Sequence, residues 1–339
     1  MRKGRVTSFD VAQAAGVNQS TVSRALAGSQ TITRETRERV EAAAIRLNYQ
    51  PDSRAARLRS GRTGTLAIVV IGRAGQDPTR VSAFHYALLG STCAAAAERG
   101  YQSLVSFQSE ADRFSWSFTA QGQADGLIVL GTSVNRAAWA DLRATDPAGP
   151  VALWGAPFDD GRWFRADNAT GARMAVDRLV AAGHRRIAFL GSVDAVHPQF
   201  AERFDGYGRA LAAHGLPSVS PVTVLGDDRI AGGRAATVQL LASPTPPDAI
   251  FAANDAIALG AIEALSKAGI RVPEQFGIIG FDGLPAGAHS NPPLTTIEPD
   301  FAEAGRALVG RVCGDGQAAA ERRIAVRLIE RGSVKPSGC

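Results

Sequence analysis

Short apolar runs that alternate with helical stretches constrain the fold of most of this chain. From Gly64 onward there are eight such runs, and within them polar and apolar residues do not alternate. A strand that is apolar on both faces must be covered on both faces, which is typical of parallel sheets flanked by helices. The predicted strands are Leu66–Ile71, Ser103–Phe107, Gly126–Leu130, Val151–Trp154, Ile187–Leu190, Val222–Leu225, Ala249–Ala252 and Gly277–Phe281.

The same region predicts helices between these strands. Because the strands form two series of four, the sequence predicts two doubly wound α/β lobes. In such sheets a ligand binds at the carboxyl ends of the strands, so we expect a cleft there. The predicted helices are Tyr86–Arg99, Gly171–Ala182, Phe204–Ala213, Gly233–Leu241 and Ile257–Lys267.

The first fifty residues have a different pattern, that of three short helices. Ser8 can cap the first helix, and Gly16 supplies the positive φ that a tight turn needs. A second helix is expected to begin near Asn18 or Gln19, and a third to run from Thr33 to Leu47. The spacing is that of a helix-turn-helix. The expected core residues are Val11, Ala12, Ala15, Val22, Ala25, Leu26, Val40, Ala44 and Leu47.

Charge is distributed unevenly between these two regions. Residues 1–62 contain twelve Lys or Arg and five Asp or Glu, a balance of +7. The remainder contains 25 basic and 27 acidic residues, a balance of −2. A basic head on a near-neutral body is typical of a nucleic-acid-binding module. A solubilising tail is the alternative, and the helical patterning of the segment argues against it.

The polar face of the second helix favours DNA binding over the alternative interpretation, which is a small helical bundle that binds no ligand. Its side chains are compact donors and acceptors that suit base edges and phosphates. In helix-turn-helix proteins the start of this helix enters the major groove. The residues are Asn18, Gln19, Ser20, Thr21, Ser23 and Arg24.

Several motifs in this region resemble the lactose/galactose repressor (LacI/GalR) family of bacterial transcription regulators. They are Asp10-Val-Ala-x-x-Ala-Gly-Val-x-x-Ser-Thr-Val-Ser-Arg24, Arg37-x-x-Val40-x-x-Ala43 and Leu47-Asn-Tyr-x-Pro51. The resemblance extends over nearly the whole chain. It implies an α/β protein with an all-α helix-turn-helix head and a two-lobed body like a periplasmic binding protein.

The resemblance also implies roles for individual residues of the head. Gln19 and Ser20 match the family's main base-reading pair, while Thr7, Thr21 and Ser23 match its phosphate contacts. Ala27 departs from the family, which usually has Asn there.

A hinge helix that orders on operator DNA is implied for residues 51–63, which the sequence alone presents as a basic linker. Leu58 would insert into the minor groove and kink the duplex, and Ala55 matches the family's small hinge residue. Arg57 lies one position away from where the commonest sequence pattern of the family would place it.

The effector site implied by the resemblance lies in the cleft. Arg203, Asn254 and Asp282 match residues that hold the effector, and the last two follow predicted strands. Phe84 and His85 match an aromatic pair that stacks on the ligand. Asp167 matches a family acid, and Asp228 replaces an aromatic found in some members. Asp255 is expected to cap the next helix. A polar rim without that second aromatic favours a neutral or mildly acidic sugar, or a close polyol, over a nucleobase co-repressor.

Three chain crossovers implied by the resemblance make the lobes discontinuous in sequence. The expected segments are 1–50 for the head, 51–63 for the hinge, 64–163 with 292–320 for the first lobe and 164–291 with 321–339 for the second. A homodimer is expected, because two-fold symmetry matches a palindromic operator and one small module rarely binds tightly enough.

Other classes of protein fit the sequence less well. No phosphate-binding, zinc-protease or nucleophile-elbow motif occurs, and neither the five histidines nor the three cysteines have metal-ligand or disulfide spacing, so we expect no enzyme, cofactor or metal. A solute-binding protein of a sugar transporter would need an export signal and no basic head. The opening residues lack the apolar core of such a signal, and no apolar run could span a membrane, so a cytoplasmic location is expected.

Overall fold

The computed structural model of the chain describes residues 6–49, 62–75, 77, 81–110, 114–131, 134–157, 163–194, 197–217, 220–226, 228–315 and 323–336. Two units can be distinguished, Met1–Thr63 and Gly64–Cys339, which we call the head and the body. Ala55 and Leu58 of the predicted hinge lie outside the described residues. No helix in the described part of the chain is long and apolar enough to cross a membrane.

The head contains the three predicted helices, α1 (Ser8–Ala15), α2 (Gln19–Leu26) and α3 (Arg34–Arg46). Gly16 ends α1 with φ 67°, in the left-handed region where a side chain would be strained. The three helices bury one apolar cluster, with Leu26 and Leu47 half-buried at its margin. The fully buried members are Val11, Ala12, Ala15, Val22, Ala25, Val40, Ala43 and Ala44.

Two sheets form the body, each lying within what we call a lobe. The first lobe has strand order β10-β5-β4-β3-β1-β2, and all its pairings are parallel. Its strands are β1 (Thr65–Ile71), β2 (Gln102–Gln108), β3 (Gly126–Gly131), β4 (Val151–Trp154), β5 (Trp163–Ala166) and β10 (Arg323–Ile324).

The second lobe has strand order β11-β9-β8-β7-β6, in which only β11 runs antiparallel. The predicted strand Val222–Leu225 is reduced to one parallel bridge, between Val222 and Leu190. The bridge places Val222 next to β6, in the position that β2 has next to β1. The two sheets therefore share one strand order. The strands are β6 (Ile187–Leu190), β7 (Ala249–Ala252), β8 (Gly277–Phe281), β9 (Thr295–Pro299) and β11 (Val326–Ile329).

Helices cover both faces of each sheet, as the apolar strands require. Alternate residues of β1 show this directly: Ile68 and Val70 pack with one buried cluster, and Ala67 and Val69 with another. The predicted α/β fold class is therefore confirmed. The body helices are α4 (Ala83–Glu98), α5 (Arg136–Thr145), α6 (Asn168–Ala181), α7 (Pro198–Ala213), α8 (Arg229–Leu241), α9 (Asp255–Lys267), α10 (Pro285–Ala288) and α11 (Phe301–Cys313).

The strand pairing places the chain crossovers at residues other than those that the sequence predicted. Strand β9 belongs to the second sheet, although 292–320 was assigned to the first lobe, and β10 belongs to the first sheet, although 321–339 was assigned to the second. Backbone hydrogen bonds join the crossing strands, from Asp300 N to Ala325 O at 2.9 Å and from Asp167 N to Ile324 O at 2.8 Å. The crossings therefore occur near residues 167, 300 and 325. The proline pair at 292–293 precedes β9 instead of crossing between lobes.

Candidate functional site: a polar helix face and an interlobe cleft

Helix α2 of the head presents a polar, exposed face opposite its buried one. Asn18 caps the helix through Oδ1, which accepts hydrogen bonds from the N–H and the hydroxyl of Thr21 and from the hydroxyl of Ser20, each at 2.8 Å. Gln19, Ser20 and Arg24 are exposed, whereas Val22 and Ala25 are buried. Because the apolar side fixes the helix to α1 and α3, the polar side is held outward.

The start of α1 is fixed by Thr7 and not by Ser8, which was the predicted cap. The N–H and hydroxyl of Thr7 both donate to Asp10 Oδ2 at 2.7 Å, and these bonds hold the pKa of Asp10 below its usual range. Ser8 is instead the first helical residue, and its hydroxyl accepts from Gln19 Nε2 at 3.0 Å. Thr7 and Gln19 therefore lie at adjoining helix starts, while Thr21 and Ser23 are half-buried.

The body contains a cavity of about 180 Å³ between its two lobes. It lies at the carboxyl ends of strands from both sheets and at the N-termini of α4, α7 and α8, which is where open α/β sheets bind ligands. Its lining residues are Ile71, Gly72, Arg73, Val81, Ser82, Phe84, His85, Gly131, Val134, Trp154, Gly155, Arg165, Ala166, Asn168, His197, Pro198, Gln199, Phe200, Arg203, Arg229, Asn254 and Asp282.

Arg203 organises the second-lobe wall of this cavity. It is only 4% exposed, and its guanidinium lies 3.5 Å from the ring centre of Phe281. Nε donates to Asn168 Oδ1 at 2.9 Å, Nη1 donates to the carbonyl of Ala253, and Nη2 lies 3.4 Å from Asp282 Oδ1. Burial lowers the pKa of Arg203, and the charge of Asp282 opposes that shift. The side chain is therefore fixed before any ligand arrives.

Two buried carboxyl groups lie next to Arg203. Burial raises the pKa of Asp282 to about 6 against the opposing effect of Arg203, and its backbone has a positive φ of 111°, uncommon outside glycine. Burial, together with the charge of Asp282, raises the pKa of Asp255 to about 8. Asp255 accepts from the Thr296 hydroxyl at 2.5 Å and from Leu284 N–H at 2.6 Å.

Asn254 and not Asp255 caps α9, which corrects the sequence prediction. The Oδ1 of Asn254 accepts from Ile257 N at 2.9 Å, so its amide N–H groups are what it can offer a ligand. Asp255 is fully buried against β8, where a Cβ on Gly280 would come within 2.2 Å of its Oδ1. Its role is therefore internal to the second lobe.

Five of the seven predicted effector residues line the cavity: Phe84, His85, Arg203, Asn254 and Asp282. Phe84 packs on Trp154 and Phe301, with ring centres 6.0 and 5.3 Å apart. His85 Nδ1 lies 2.8 Å from Ser82 Oγ, and burial lowers the pKa of its imidazole.

The other two predicted effector residues, Asp167 and Asp228, are not among the lining residues. Asp167 Oδ1 accepts from Thr170 N at 3.1 Å and caps α6. Asp228 Oδ1 accepts from Ile230 N and Ala231 N, both at 3.0 Å, and caps α8. Their carboxylates stabilise helix N-termini.

Several lining residues were not predicted from the sequence. Arg73 follows β1, and its position after a buried strand could have identified it. Arg165 lies in a strand that the sequence pattern missed, with Nη1 2.9 Å from Glu202 Oε1. His197 immediately precedes α7, and Arg229 is the first residue of α8. The sequence predicted that these helices begin at Phe204 and Gly233, so it included neither residue.

A small polar helix-turn-helix head and a body with an interlobe ligand cleft define a class of ligand-binding regulators. The model for bacterial regulatory proteins of the lacI family matches residues 9–52, and the model for a periplasmic binding protein-like domain matches residues 176–334. The ribose operon repressor of Escherichia coli K12 is 32% identical over 337 residues, which cover 96% of this chain and 99% of that one.

Two solved structures are similar over nearly their whole length. The Lac repressor dimer bound to operator and an anti-inducer has a TM-score of 0.74 at 28% identity, covering 97% of this chain and 98% of that one. The complex of the regulator CelR with cellobiose has a TM-score of 0.67 at 29% identity, covering 97% and 100%. The chain belongs to the LacI family of bacterial regulatory proteins.

Proposed function

We propose that the chain represses or otherwise regulates transcription by binding a palindromic operator as a homodimer, in a manner set by a small molecule held in the cleft. The observation that carries this proposal is the exposed polar face of α2 on a basic head. Relatives support it, since the similar Lac repressor structure is a dimer on operator DNA. Such a protein acts by binding and not by catalysis, and it works in the cytoplasm where the DNA is.

Base reading is assigned to Gln19 and Ser20, with Arg24 beside them. All three are exposed, and their side chains can pair with base edges in the major groove. Thr7, Asn18, Thr21 and Ser23 are assigned to positioning, through phosphate contacts or by fixing the helix start. For Ala55 and Leu58 the proposed minor-groove role rests on the family resemblance alone.

The effector is assigned to the cleft and to the class of sugars or closely related molecules. Arg203, Asn254 and Asp282 supply donors and acceptors for several hydroxyl groups, and Phe84 and Trp154 supply an apolar face. The ribose and cellobiose named for relatives are consistent with this class. Residues 64–166 with 301–324 form the proposed first lobe, and 167–300 with 325–339 the second.

Selection of duplexes from a random-sequence pool by the full chain tests the proposal. We expect enrichment of a palindrome whose two half-sites are spaced by about one helical turn. Affinity for the selected duplex should fall steeply with salt, because the +7 head displaces counterions from phosphates. Failure to enrich any sequence, or enrichment of a single unpaired half-site, would contradict the proposal.

A further inference from the structure

Glu202 of helix α7 is a carboxylate of the second lobe that pairs with two arginines of the first lobe. Its Oε1 lies 2.9 Å from Arg165 Nη1, and its Oε2 lies 3.0 Å from Arg323 Nη1. The Oε2 atom also accepts a hydrogen bond from Asn168 Nδ2 at 2.7 Å. The side chains of Glu202 and Arg165 are 21% and 14% exposed, so water screens this pair less than a surface ion pair. One carboxylate thus joins the two lobes.

The sheet of the first lobe presents the two arginines side by side. Strands β5 and β10 are parallel neighbours, and Arg165 is paired in register with Arg323, so both side chains project from the same face of the sheet. Trp163 precedes Arg165 by two residues and lies on that face as well. The guanidinium carbon of Arg165 lies 4.2 Å from the ring centre of Trp163, and that of Arg323 lies 5.9 Å from it. The ring therefore supports both cations where they reach Glu202.

Both arginines precede a crossing between the lobes. The chain crosses to the second lobe two residues after Arg165 and again two residues after Arg323. The hydrogen bond from Asp167 N to Ile324 O, at 2.8 Å, ties the two crossings together. A rotation of one lobe against the other turns about such crossings, and it changes the geometry between α7 and the two arginines. The bonds of Glu202 therefore oppose this rotation.

The same carboxylate is connected to the effector cleft through Asn168. This residue is 1% exposed and lines the cavity. Its amide nitrogen donates to Glu202 and its amide oxygen accepts from Arg203 Nε at 2.9 Å, so the carboxylate fixes which way the amide faces. Because these bonds form one chain, a displacement of Arg203 by an effector reaches Glu202 through Asn168.

Glu202 is ionised in this network. Burial would raise the pKa of its carboxyl group, but the hydrogen bond from Asn168 and the nearby charges of Arg323 and Arg165 outweigh that effect and lower the pKa below its ordinary value. The carboxylate is therefore charged at neutral pH. Glutamine at this position would lose the charge and keep the shape.

We propose that Glu202 is a positioning residue of the effector response: its carboxylate holds the lobes in one arrangement and couples that arrangement to Asn168 and Arg203 in the cleft. The inference rests on the proposed function in placing the effector there. An ion-paired carboxylate beside two crossings favours one lobe arrangement, because its bonds are short and are lost when the lobes rotate. Loss of its charge should leave the fold intact and redistribute the chain over other lobe arrangements.

Distances between spin labels on the two lobes, measured by pulsed electron paramagnetic resonance in the full chain without DNA, test the proposal. The labels are attached through a genetically encoded ketone side chain at Ala144 on α5 and at Gln239 on α8, which are both exposed, so the native cysteines stay in place. Labelled chains are co-assembled with an excess of unlabelled chain, which leaves only distances within one chain. We expect one dominant distance in the natural chain, and several equally populated distances would overturn the proposal.

Glu202→Gln should lower the population of the dominant distance relative to all others by about tenfold, since both ion pairs to the first lobe are lost. Arg323→Met should lower it by about threefold, because Arg165 keeps its bond to Oε1, and Arg323→Lys should behave as the natural chain. Arg323 is exposed, so its replacement does not threaten the fold. Asp205→Asn is the matched control, since Asp205 is an exposed carboxylate of the same helix that pairs with Arg209 within the second lobe.

Asn168→Ala tests the connection to the cleft. It removes the link between Arg203 and the carboxylate, so we expect the dominant distance to lose population here as well, by about threefold. Equal distance distributions for Glu202→Gln and Asp205→Asn, or an unchanged distribution in Asn168→Ala, would overturn the proposal. Selection of DNA by the natural chain keeps the two proposals apart: an enriched palindrome with equal distributions refutes this inference alone, whereas altered distributions without any enriched sequence refute the proposed function alone.

Discussion

The two walls of the cleft are built in different ways. In the second lobe, Arg203 is buried, and three of its nitrogens already contact Asn168, Ala253 and Asp282. In the first lobe, Phe84 is half-buried and held by ring contacts with Trp154 and Phe301. A polar wall whose side chains are already held in place loses little conformational entropy when a ligand binds. An apolar wall buries ligand surface without requiring one orientation of the ligand. Selectivity should therefore reside in the second lobe.

Arg203→Met should have the largest effect on stability. It leaves Asp282 buried without its counter-charge and removes the donor to Asn168, so we expect a loss of about 3–5 kcal/mol in the free energy of unfolding. Phe84→Leu in the opposite wall should cost about 1 kcal/mol, because it changes apolar packing at a half-buried position. Urea unfolding of the full chain measures both.

Arg209→Met is the matched control for the Arg203 variant. Arg209 lies on the same helix, α7, in an exposed ion pair with Asp205, and its loss should cost less than about 0.5 kcal/mol. Similar losses for Arg203→Met and Phe84→Leu would show that the two walls do not differ as described.

Stability should also depend on pH through the second lobe. A carboxyl group whose pKa is raised on folding binds more protons in the folded state, so stability falls as pH rises towards the folded pKa. For Asp255, with a pKa of about 8 against an ordinary value of 3.8, the loss between pH 6 and pH 8 is about 2 kcal/mol. Asp282 contributes a similar decline at lower pH, towards its pKa of about 6.

Asp255→Asn separates this effect from other titrations. The amide resembles the protonated acid, so the variant should show a flatter dependence of unfolding free energy on pH from 6 to 8. Asp228→Asn, at an exposed helix cap, should keep the dependence of the natural chain. Parallel pH profiles for Asp255→Asn and the natural chain would mean that Asp255 is ionised in the folded state at pH 6.

Much of the fold could be predicted because it is encoded locally. Strands such as Leu66–Ile71 and Ala249–Ala252 are apolar throughout, and the three helices of the head have clear apolar spacing. Strand β5 was missed because its four residues include Arg165, whose charge is accommodated by Glu202 and the carbonyl of Ala156. Strand β10 has two residues, too few for any pattern.

The lining of the cavity could be predicted only where the family resemblance assigned single positions. Phe84, His85, Arg203, Asn254 and Asp282 line the cavity as expected, whereas Asp167 and Asp228 cap helices and are not among the lining residues. The lining residues Arg73, His197 and Arg229 come from three separate chain segments, and no spacing in the sequence relates them. The burial of Asp255 likewise depends on Gly280 and Thr296, which reach it only in the folded sheet.

In the proposed function the head reads DNA and the cleft does not. Fluorescence anisotropy of the full chain on the selected operator and on a scrambled duplex tests it most directly, with Gln19→Ala and Asp282→Asn compared side by side. We predict that Gln19→Ala weakens operator binding by about 10- to 100-fold, as loss of a base contact does, while scrambled-duplex binding stays within about threefold. Asp282→Asn should keep the operator affinity of the natural chain. Equal losses on both duplexes for Gln19→Ala, or a loss of operator binding in Asp282→Asn as large as in Gln19→Ala, would contradict the account.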